Sequence, residues 1–422
     1  MFRSESTPTH VSSGIHRRGS PALCRSVSIV LVSLGVFGAA GCGRNQPLSP
    51  QVASGAAPVR VESMALGKTP AGPLHLTGVL GPGALYVIDK PANWNGGLVV
   101  WAHGYTPDFQ PVATPNLGPL LPFFLSQGFA VAASSYSENG YAVAEGARQT
   151  HQLGQVFTGL VGKPDRTYLV GVSLGGIIGL RLLEKYDDSY DGALLVSGVV
   201  GGSDDEVRYL GDIWVLFDQF FPGVLPPLFG PRPGPFPQAQ ILGILTDPGN
   251  APTVQILLAF ARERGLTFAT GAEAVEATLT SLGFGWIGAL DFLDRTHGHV
   301  LYDNSGTIYL APGVPQSIVD QVNAQVDRLT STQDARTFLR HYYEPDGDLQ
   351  MPVITLHDQR DPLVPFLHEP LFHDAVESAG QLSRLRQYNT NSFGHVSPTV
   401  QGQIPAKFLE LVGWVDSLEP TP

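Results

Sequence analysis

The sequence predicts an α/β fold, a doubly wound and mostly parallel sheet that carries a large helical cap insertion. Short apolar runs such as Gly97–Ala102 (GLVVWA) are continuous rather than alternating, which is typical of strands buried on both faces. These runs alternate with helical patterns in residues 74–200 and again in 351–422, and this alternation indicates a parallel sheet. In residues 201–350 helical patterns follow one another without strands, so we expect a cap over one edge of the sheet, with a separate accessory domain as the alternative.

The first 73 residues differ in composition from the rest of the chain. Residues 1–42 place arginines before an apolar run, Ser26–Ala40, that is too short to span a bilayer, which is typical of a secretory signal peptide. Their last four residues, Ala39–Cys42 (AAGC), resemble a bacterial lipobox, in which the cysteine is lipidated, although Leu is usual where Ala39 stands. Residues 43–73 are rich in Pro, Ala, Gly and Ser, which predicts a flexible tether.

This leader predicts where the protein is located. We expect export to the bacterial cell envelope, with the protein held to a membrane by a lipid on Cys42. The alternative is an ordinary signal peptide with an incidental cysteine, in which case the protein is secreted. Cys24 and Cys42 are the two cysteines of the chain, so the remaining sequence offers no disulfide framework, cysteine metal site or thiol nucleophile.

The composition also limits the partners of the protein. At 422 residues and 43% hydrophobic content, the chain is long enough and apolar enough to form a sizeable core. The formal net charge is −12, only 15% of residues are charged, and no cluster of Lys and Arg is visible. Phosphate backbones require such clusters, so we expect no nucleic-acid partner.

The individual elements follow from local patterns along the chain. Two β-rich runs within Leu74–Ile88 flank Gly81-Pro82-Gly83, which predicts a hairpin at the start of the sheet. Continuous apolar runs predict the remaining strands, and apolar periodicity predicts the helices. These strands are Gly97–Ala102, Phe129–Ser134, Tyr168–Val172, Ala193–Ser197, Val353–His357 and Arg384–Tyr388. The helices include Phe123–Gln127, Val143–Val161, Val254–Arg264 and Ala272–Leu282.

One strand-to-helix junction carries the strongest chemical signal. The strand Tyr168–Val172 runs into Gly171-Val172-Ser173-Leu174-Gly175, and an apolar-periodic helix follows. A serine on so tight a turn projects its hydroxyl, while the glycines on either side let neighbouring backbone pass without Cβ clashes. The pattern predicts a nucleophile at Ser173; a plain glycine-rich turn is the alternative.

A serine hydroxyl is a poor nucleophile at neutral pH and requires a base, which in turn requires an orienting acid. Downstream, Val353–Pro365 (VITLHDQRDPLVP) places Asp361 in a turn after a strand, and Asn391–Pro398 (NSFGHVSP) places His395 in a loop before the last helix. In these residues and their order, positions 74–417 resemble serine hydrolases of the α/β-hydrolase fold. The resemblance implies Ser173 as nucleophile, Asp361 as acid and His395 as base, with Asp358 as the competing acid.

The resemblance also implies an oxyanion hole. One donor is the N–H of Leu174, at the start of the helix after Ser173. The second is expected from His103-Gly104-Tyr105, which follows an early strand as the His-Gly turn of the family does. We assign it to the N–H of Tyr105, with the Tyr105 phenol as an alternative. His103 is expected to have a structural role.

Three functions remain open at this stage. The first is hydrolysis of a small-molecule or lipid-like carboxylic ester, with an acyl site formed by apolar cap residues, namely Phe217, Phe220, Phe221, Leu225, Leu228, Phe229 and Phe236. The second is a serine peptidase of the prolyl-oligopeptidase type, in which Glu138 or Glu145 would bind a substrate amine. The third is a non-catalytic binding lipoprotein that retains the fold.

Two further expectations concern the cap. Its loop Phe217–Pro237 is too apolar to stand free in water and too rich in proline for a helix, so it must pack on the cap helices or over an acyl chain. His297-Gly298-His299 lacks a carboxylate at ligand spacing, and we expect a solvated loop there rather than a metal site. No cofactor is expected, and the oligomeric state is not predicted.

Overall fold

The computed structural model describes residues 72–341 and 343–418. The predicted signal peptide, the lipidation site at Cys42 and nearly all of the predicted tether lie outside these residues.

The centre of the molecule is an eight-stranded sheet. Its strands are β1 (Leu74–Leu80), β2 (Ala84–Lys90), β3 (Gly97–Ala102), β4 (Ala130–Ser134), β5 (Arg166–Val172), β6 (Gly192–Val196), β7 (Val353–Arg360) and β8 (Leu385–Phe393). The spatial order is β1-β2-β4-β3-β5-β6-β7-β8; β2 is antiparallel to both of its neighbours, and every other pairing is parallel. This is the strand order of the α/β-hydrolase fold, so the predicted fold class is confirmed.

Helices cover both faces of the sheet and form the insertion. They are α1 (Leu120–Ser126), α2 (Val143–Leu160), α3 (Leu174–Lys185), α4 (Ser203–Phe220), α5 (Gln238–Thr246), α6 (Ala251–Glu263), α7 (Gly271–Arg295), α8 (Gln316–Gln325), α9 (Gln333–His341), α10 (His368–Ser378) and α11 (Pro398–Ser417). The six helices α4 to α9 lie between β6 and β7 in the chain and form the cap. Within the described residues, no helix combines the length and apolar character that crossing a membrane requires.

Strand β3 illustrates why the strand sequences are continuously apolar. Leu98, Val100 and Ala102 belong to the hydrophobic layer that includes α2 and α3. Val99 and Trp101 belong to the opposite layer, with α1 and α11. Because helices cover both faces, every residue of β3 is buried and the period-two alternation of a half-exposed strand is absent.

The proline-rich loop of the cap packs on the cap's own helices, the first of the two alternatives that the sequence left open. The guanidinium of Arg232 lies 4.9 Å from the ring centroid of Trp214 on α4 and 5.1 Å from that of Trp286 on α7. It also donates hydrogen bonds to loop carbonyls, the shortest being 2.7 Å to Leu228. Phe236 packs edge-on against Trp286, with ring centroids 5.7 Å apart. Arg232 therefore satisfies the carbonyl groups that a proline-rich segment cannot pair within itself.

Candidate active site

Ser173 stands at the bend between β5 and α3 in a strained backbone conformation. Its φ is 59° and its ψ is −124°, values that a non-glycine residue adopts only when its surroundings force them. The Ser173 N–H donates to the carbonyl of Val196 (2.9 Å), and the Ser173 carbonyl accepts from the N–H of Gly176 (2.8 Å). The bend is therefore tied to the neighbouring strand β6 as well as to its own helix.

The glycines around Ser173 are required by contact with backbone. A Cβ added to Gly171 would lie 2.2 Å from the carbonyl oxygen of Gly175. One added to Gly175 would lie 2.0 Å from the carbonyl oxygen of Ala102 at the end of β3. Backbone cannot yield as a flexible side chain can, so both positions exclude any larger residue. The local geometry is the strained serine turn that the sequence predicted.

The topology carries the predicted acid and base to the same edge of the sheet as Ser173. Strands β5, β7 and β8 are parallel to one another through β6, and Ser173, Asp361 and His395 each follow the carboxyl end of one of them. The Nδ1 atom of His395 lies 2.7 Å from Oδ2 of Asp361. The carboxylate accepts, so Nδ1 carries a proton, and in the neutral ring the lone pair is then on Nε2. Within the described residues, this Nε2 atom is buried and has no hydrogen-bond partner.

Asp361 accepts hydrogen bonds at both of its carboxylate oxygens. Its Oδ1 atom accepts from the N–H groups of Leu363 (2.9 Å) and Val364 (3.0 Å). Burial alone would raise the pKa of this carboxyl, but the neighbouring His395 and His357 lower it to about 2. An ionised carboxylate in this position fixes the tautomer of His395.

The competing acid, Asp358, binds a different set of partners from Asp361. Its side chain is buried and accepts from the backbone N–H (2.9 Å) and the hydroxyl (2.6 Å) of Ser397, and also from Thr390 (3.1 Å) and Ser392. The structure thus brings Asp361, and not Asp358, into hydrogen bonding with His395. Asp358 instead fastens the loop on which His395 stands.

The loop after β3 lies directly against the serine. A Cβ added to Gly104 would stand 3.0 Å from Cβ and 3.4 Å from Oγ of Ser173. The N–H of Tyr105, next along this loop, and the N–H of Leu174, at the start of α3, are the predicted oxyanion donors. Leu174 begins a helix, where backbone N–H groups have no partner within the helix.

His103 and Tyr136 fix this loop. The ring of Tyr136 stacks on that of His103 with centroids 3.8 Å apart, and the Tyr136 hydroxyl donates to the His103 carbonyl (3.0 Å). Nδ1–H of His103 donates to the carbonyl of Gly104 (2.7 Å), and burial lowers the pKa of His103 to about 4. His103 is therefore a neutral structural residue, in line with its expected role. Nothing in the sequence around Tyr136 pointed to this contact, which joins residues 33 positions apart.

The phenol of Tyr105 points to the cap. Its ring meets Phe284 of α7 edge-on, with centroids 4.9 Å apart, and its hydroxyl is buried near Asp291 of the same helix. Burial, followed by the negative charges of Asp291 and Asp108, raises the pKa of Tyr105. The hydroxyl is therefore protonated and remains a donor, so the phenol stays an alternative to the backbone N–H of Tyr105.

The cap is fastened to the core beside this loop. Asp291 of α7 accepts from the N–H of Tyr141 (2.6 Å). Arg295, one turn further on, donates to Glu138 (2.6 Å), to the carbonyl of Asn139 (2.6 Å) and to Asp291 (2.6 Å). Glu138, one of the two candidates for binding a substrate amine, is thus paired with an arginine of the protein itself.

Candidate metal ligands within the described residues fall into two groups. His297 and His299 lie in an exposed loop at the end of α7. His373, Asp374 and Glu377 of α10 have ligand atoms within 4.8 Å of one another, but this group is exposed or half-exposed, and such groups are common without an ion. We assign no metal to either group.

Comparison with known proteins gives similarity at the level of backbone only. No protein-family model matches the chain, and no curated protein matches it either. Among solved structures, feruloyl esterase B from Aspergillus oryzae has a TM-score of 0.49 at 13% identity, over 82% of this chain and 80% of that one. A second esterase from Aspergillus oryzae gives 0.48 at 13% identity, over 82% and 79%. An esterase from Pyrococcus furiosus gives 0.42 at 10% identity, over 82% and 91%.

Proposed function

We propose that this protein is a serine hydrolase that cleaves carboxylic esters through an acyl-enzyme. The observation that carries the proposal is the buried pair in which Asp361 holds Nδ1–H of His395 at 2.7 Å and leaves Nε2 without a partner in the described part of the chain. This pair shares one sheet edge with Ser173, whose strained turn is enforced by backbone contacts at Gly171 and Gly175. An unpaired buried nitrogen and a strained backbone each cost stability, and here both lie at one sheet edge beside an ionised carboxylate, the combination that a serine nucleophile with a general base uses.

In the proposed reaction, Oγ of Ser173 attacks the ester carbonyl carbon while Nε2 of His395 takes the hydroxyl proton. The carbonyl oxygen becomes an oxyanion that accepts from the N–H groups of Leu174 and Tyr105. Collapse of the tetrahedral species breaks the bond to the alkoxide, which leaves with the proton from His395. Water then attacks the acyl-serine by the same sequence, so that the acid is released and Ser173 is regenerated.

Two observations favour an ester over a peptide substrate. Glu138 is already neutralised by Arg295, so it is not free to bind a substrate amine. The loop His103–Tyr105, here called the oxyanion loop, is contacted by an aromatic residue of the cap, Phe284, which provides an apolar wall for an acyl or alcohol group. We therefore infer a small-molecule or lipid-like ester as substrate. The other amine-binding candidate, Glu145, keeps a peptidase as the alternative, because its buried Oε2 has no partner within the described residues.

Substitution of the serine tests the proposal directly. Ser173→Ala should lower hydrolysis of p-nitrophenyl acetate by at least about a thousandfold while circular dichroism and thermal unfolding stay unchanged. Ser197→Ala is the matched control, since Ser197 is a buried serine after the neighbouring strand β6. A fluorophosphonate probe should label Ser173 in the wild type. Labelling at another serine, or faster cleavage of peptidyl anilides than of esters, would overturn the assignment.

Export is a separate part of the proposal and rests on residues 1–42 alone. We propose that Cys42 is lipidated in a bacterial host and that the protein acts at a membrane surface. Mass spectrometry of the protein recovered from membranes should show a lipid-modified Cys42 at the mature N-terminus, and Cys42→Ser should release activity into the soluble fraction. Recovery of the wild type as a soluble protein with an unmodified cysteine contradicts this and leaves secretion as the outcome.

A further inference from the structure

A second histidine is buried beside the predicted acid. His357 of β7 has no exposed side-chain surface and lies between two carboxylates. Its Nε2 atom is 2.9 Å from the carbonyl oxygen of Val364 and 3.6 Å from Oδ2 of Asp361. Its Nδ1 atom is 3.1 Å from Oε1 of Glu369 on α10.

The hydrogen bonds of His357 indicate its protonation state. A carbonyl oxygen only accepts, so Nε2 carries a proton. Glu369 receives donors at its other oxygen, from Nε2 of Gln387 (2.7 Å) and Oγ1 of Thr355 (2.5 Å), which favours the ionised carboxylate. Nδ1 must then donate to Glu369, and the ring is doubly protonated. Although burial alone would lower the pKa of His357, the carboxylates of Asp361 and Glu369 raise it to about 10.

We propose that His357 is a buried imidazolium that acts as a positioning residue for the Asp361–His395 pair. Its charge holds Asp361 ionised and opposes a second positive charge on His395, so that hydrolysis persists into acidic solution. This inference rests on the proposed function, because it assigns His395 the role of base. The groups that interact with His357 are Asp361 in the loop after β7, Glu369 and His368 on α10, and Glu206 on α4, and Asp361 in turn binds His395.

The neighbouring His368 provides a matched control with the opposite charge state. Its Nδ1 atom accepts from the N–H of Gly201 (2.9 Å), so this nitrogen carries no proton. Its Nε2–H donates to Oε2 of Glu206 (3.0 Å). His368 is therefore a neutral imidazole, as deeply buried as His357 and on the adjacent helix. Removing it takes away hydrogen bonds but no charge.

The first test measures the pH dependence of kcat/KM for an ester substrate. His357→Gln keeps an N–H donor for Val364 and removes the charge. We expect the acid limb of the profile, which reports protonation of the base in the free enzyme, to move to higher pH by about one unit. His368→Gln should leave the position of that limb unchanged, even if it lowers kcat. An unmoved limb in folded His357→Gln, or an equal shift in both variants, overturns the proposal.

The second test needs no catalysis. In Ser173→Ala labelled with 15N-histidine, both ring nitrogens of His357 should show imidazolium chemical shifts at pH 7, and those of His368 should show a neutral ring. A neutral His357 overturns the inference even if the enzyme is active. If instead His357 is charged but no ester is hydrolysed and no serine is labelled, it is the proposed function that fails. If His357→Gln does not fold, the ring nitrogen shifts of His357 in Ser173→Ala decide the inference by themselves.

Discussion

Asp358 accepts two hydrogen bonds from Ser397, one from its backbone N–H at 2.9 Å and one from its hydroxyl at 2.6 Å. Ser397 follows His395 by two residues and caps α11, where its side chain accepts from the N–H of Val400. The carboxylate thus fixes the loop between β8 and α11, and with it the position of His395. Two acids three residues apart therefore have separate tasks, one in contact with His395 and one beneath its loop.

Substituting each acid by its amide should separate these tasks. Asp361→Asn removes the anion that fixes the tautomer of His395, and we expect kcat to fall by about 10⁴-fold with little loss of stability, as in the Ser-His-Asp template. Asp358→Asn keeps one acceptor oxygen for Ser397, so kcat should fall far less while unfolding becomes easier by about 1–3 kcal/mol. Steady-state kinetics and urea denaturation of both variants measure these effects. A larger kcat loss for Asp358→Asn would transfer the role of acid to that residue.

The sequence alone does not show which of the two acids contacts the histidine. Asp358 and Asp361 both follow the same apolar strand, and each is a common turn residue. What separates them is the direction of each side chain at the end of β7, where a register irregularity between Asp358 and Arg360 interrupts pairing with β8. By contrast, the strained turn at Ser173 could be predicted because its strand, flanking glycines and helix are contiguous in sequence, and local backbone sterics decide that turn.

Tyr136 should act through the oxyanion loop. Its buried hydroxyl donates to the carbonyl of His103 at 3.0 Å, and Tyr136→Phe leaves this acceptor unsatisfied next to Gly104. An unsatisfied buried group costs about 1–3 kcal/mol. If the loop moves to relieve part of this cost, the N–H of Tyr105 is displaced and kcat falls by about tenfold. KM should change little, because the oxyanion contact is made mainly in the transition state. Tyr190→Phe, a buried tyrosine before β6 at the opposite edge of the sheet, should not alter kcat, and equal losses in both variants would contradict a role at the site.

Sequence patterns do not predict the contacts between the cap and the core. The apolar content of Phe217–Pro237 suggested that this loop contacts the acyl group. In the structure, Phe236 and Arg232 of the loop pack against tryptophans of the cap itself. The residue that reaches the oxyanion loop, Phe284, lies in an ordinary helical pattern and has no distinguishing neighbour in the sequence. Hydrophobic periodicity predicts that a helix has a buried face, but it does not reveal which distant segment covers that face.

Phe284 should therefore determine acyl selectivity, a role that the sequence assigned to the proline-rich loop. Phe284→Ala removes an apolar wall beside Tyr105, and kcat/KM for long-chain p-nitrophenyl esters should fall about tenfold more than for the acetate, as expected for one apolar pocket contact. Phe236→Ala is the control, because that ring packs on Trp286 within the cap. It should lower stability without altering the ratio between chain lengths. If Phe236→Ala changes selectivity and Phe284→Ala does not, the acyl group lies against the proline-rich loop after all.

The buried charge of His357 should also appear in the pH dependence of stability. The pKa of His357 is raised to about 10 in the folded protein by the carboxylates of Asp361 and Glu369, against burial, whereas an unfolded histidine has a pKa of about 6.5. Between these values the folded state holds a proton that the unfolded state has lost, so the stabilisation is complete below about pH 6.5 and decreases as the pH rises towards 10. The contribution of His357 to the free energy of unfolding should therefore fall by about 1.4 kcal/mol per pH unit in this window. Urea denaturation at pH 7, 8 and 9 measures this slope, which should be smaller in His357→Gln than in the wild type and unchanged in His368→Gln. A wild-type slope no steeper than that of His357→Gln would mean that His357 is neutral in the folded protein.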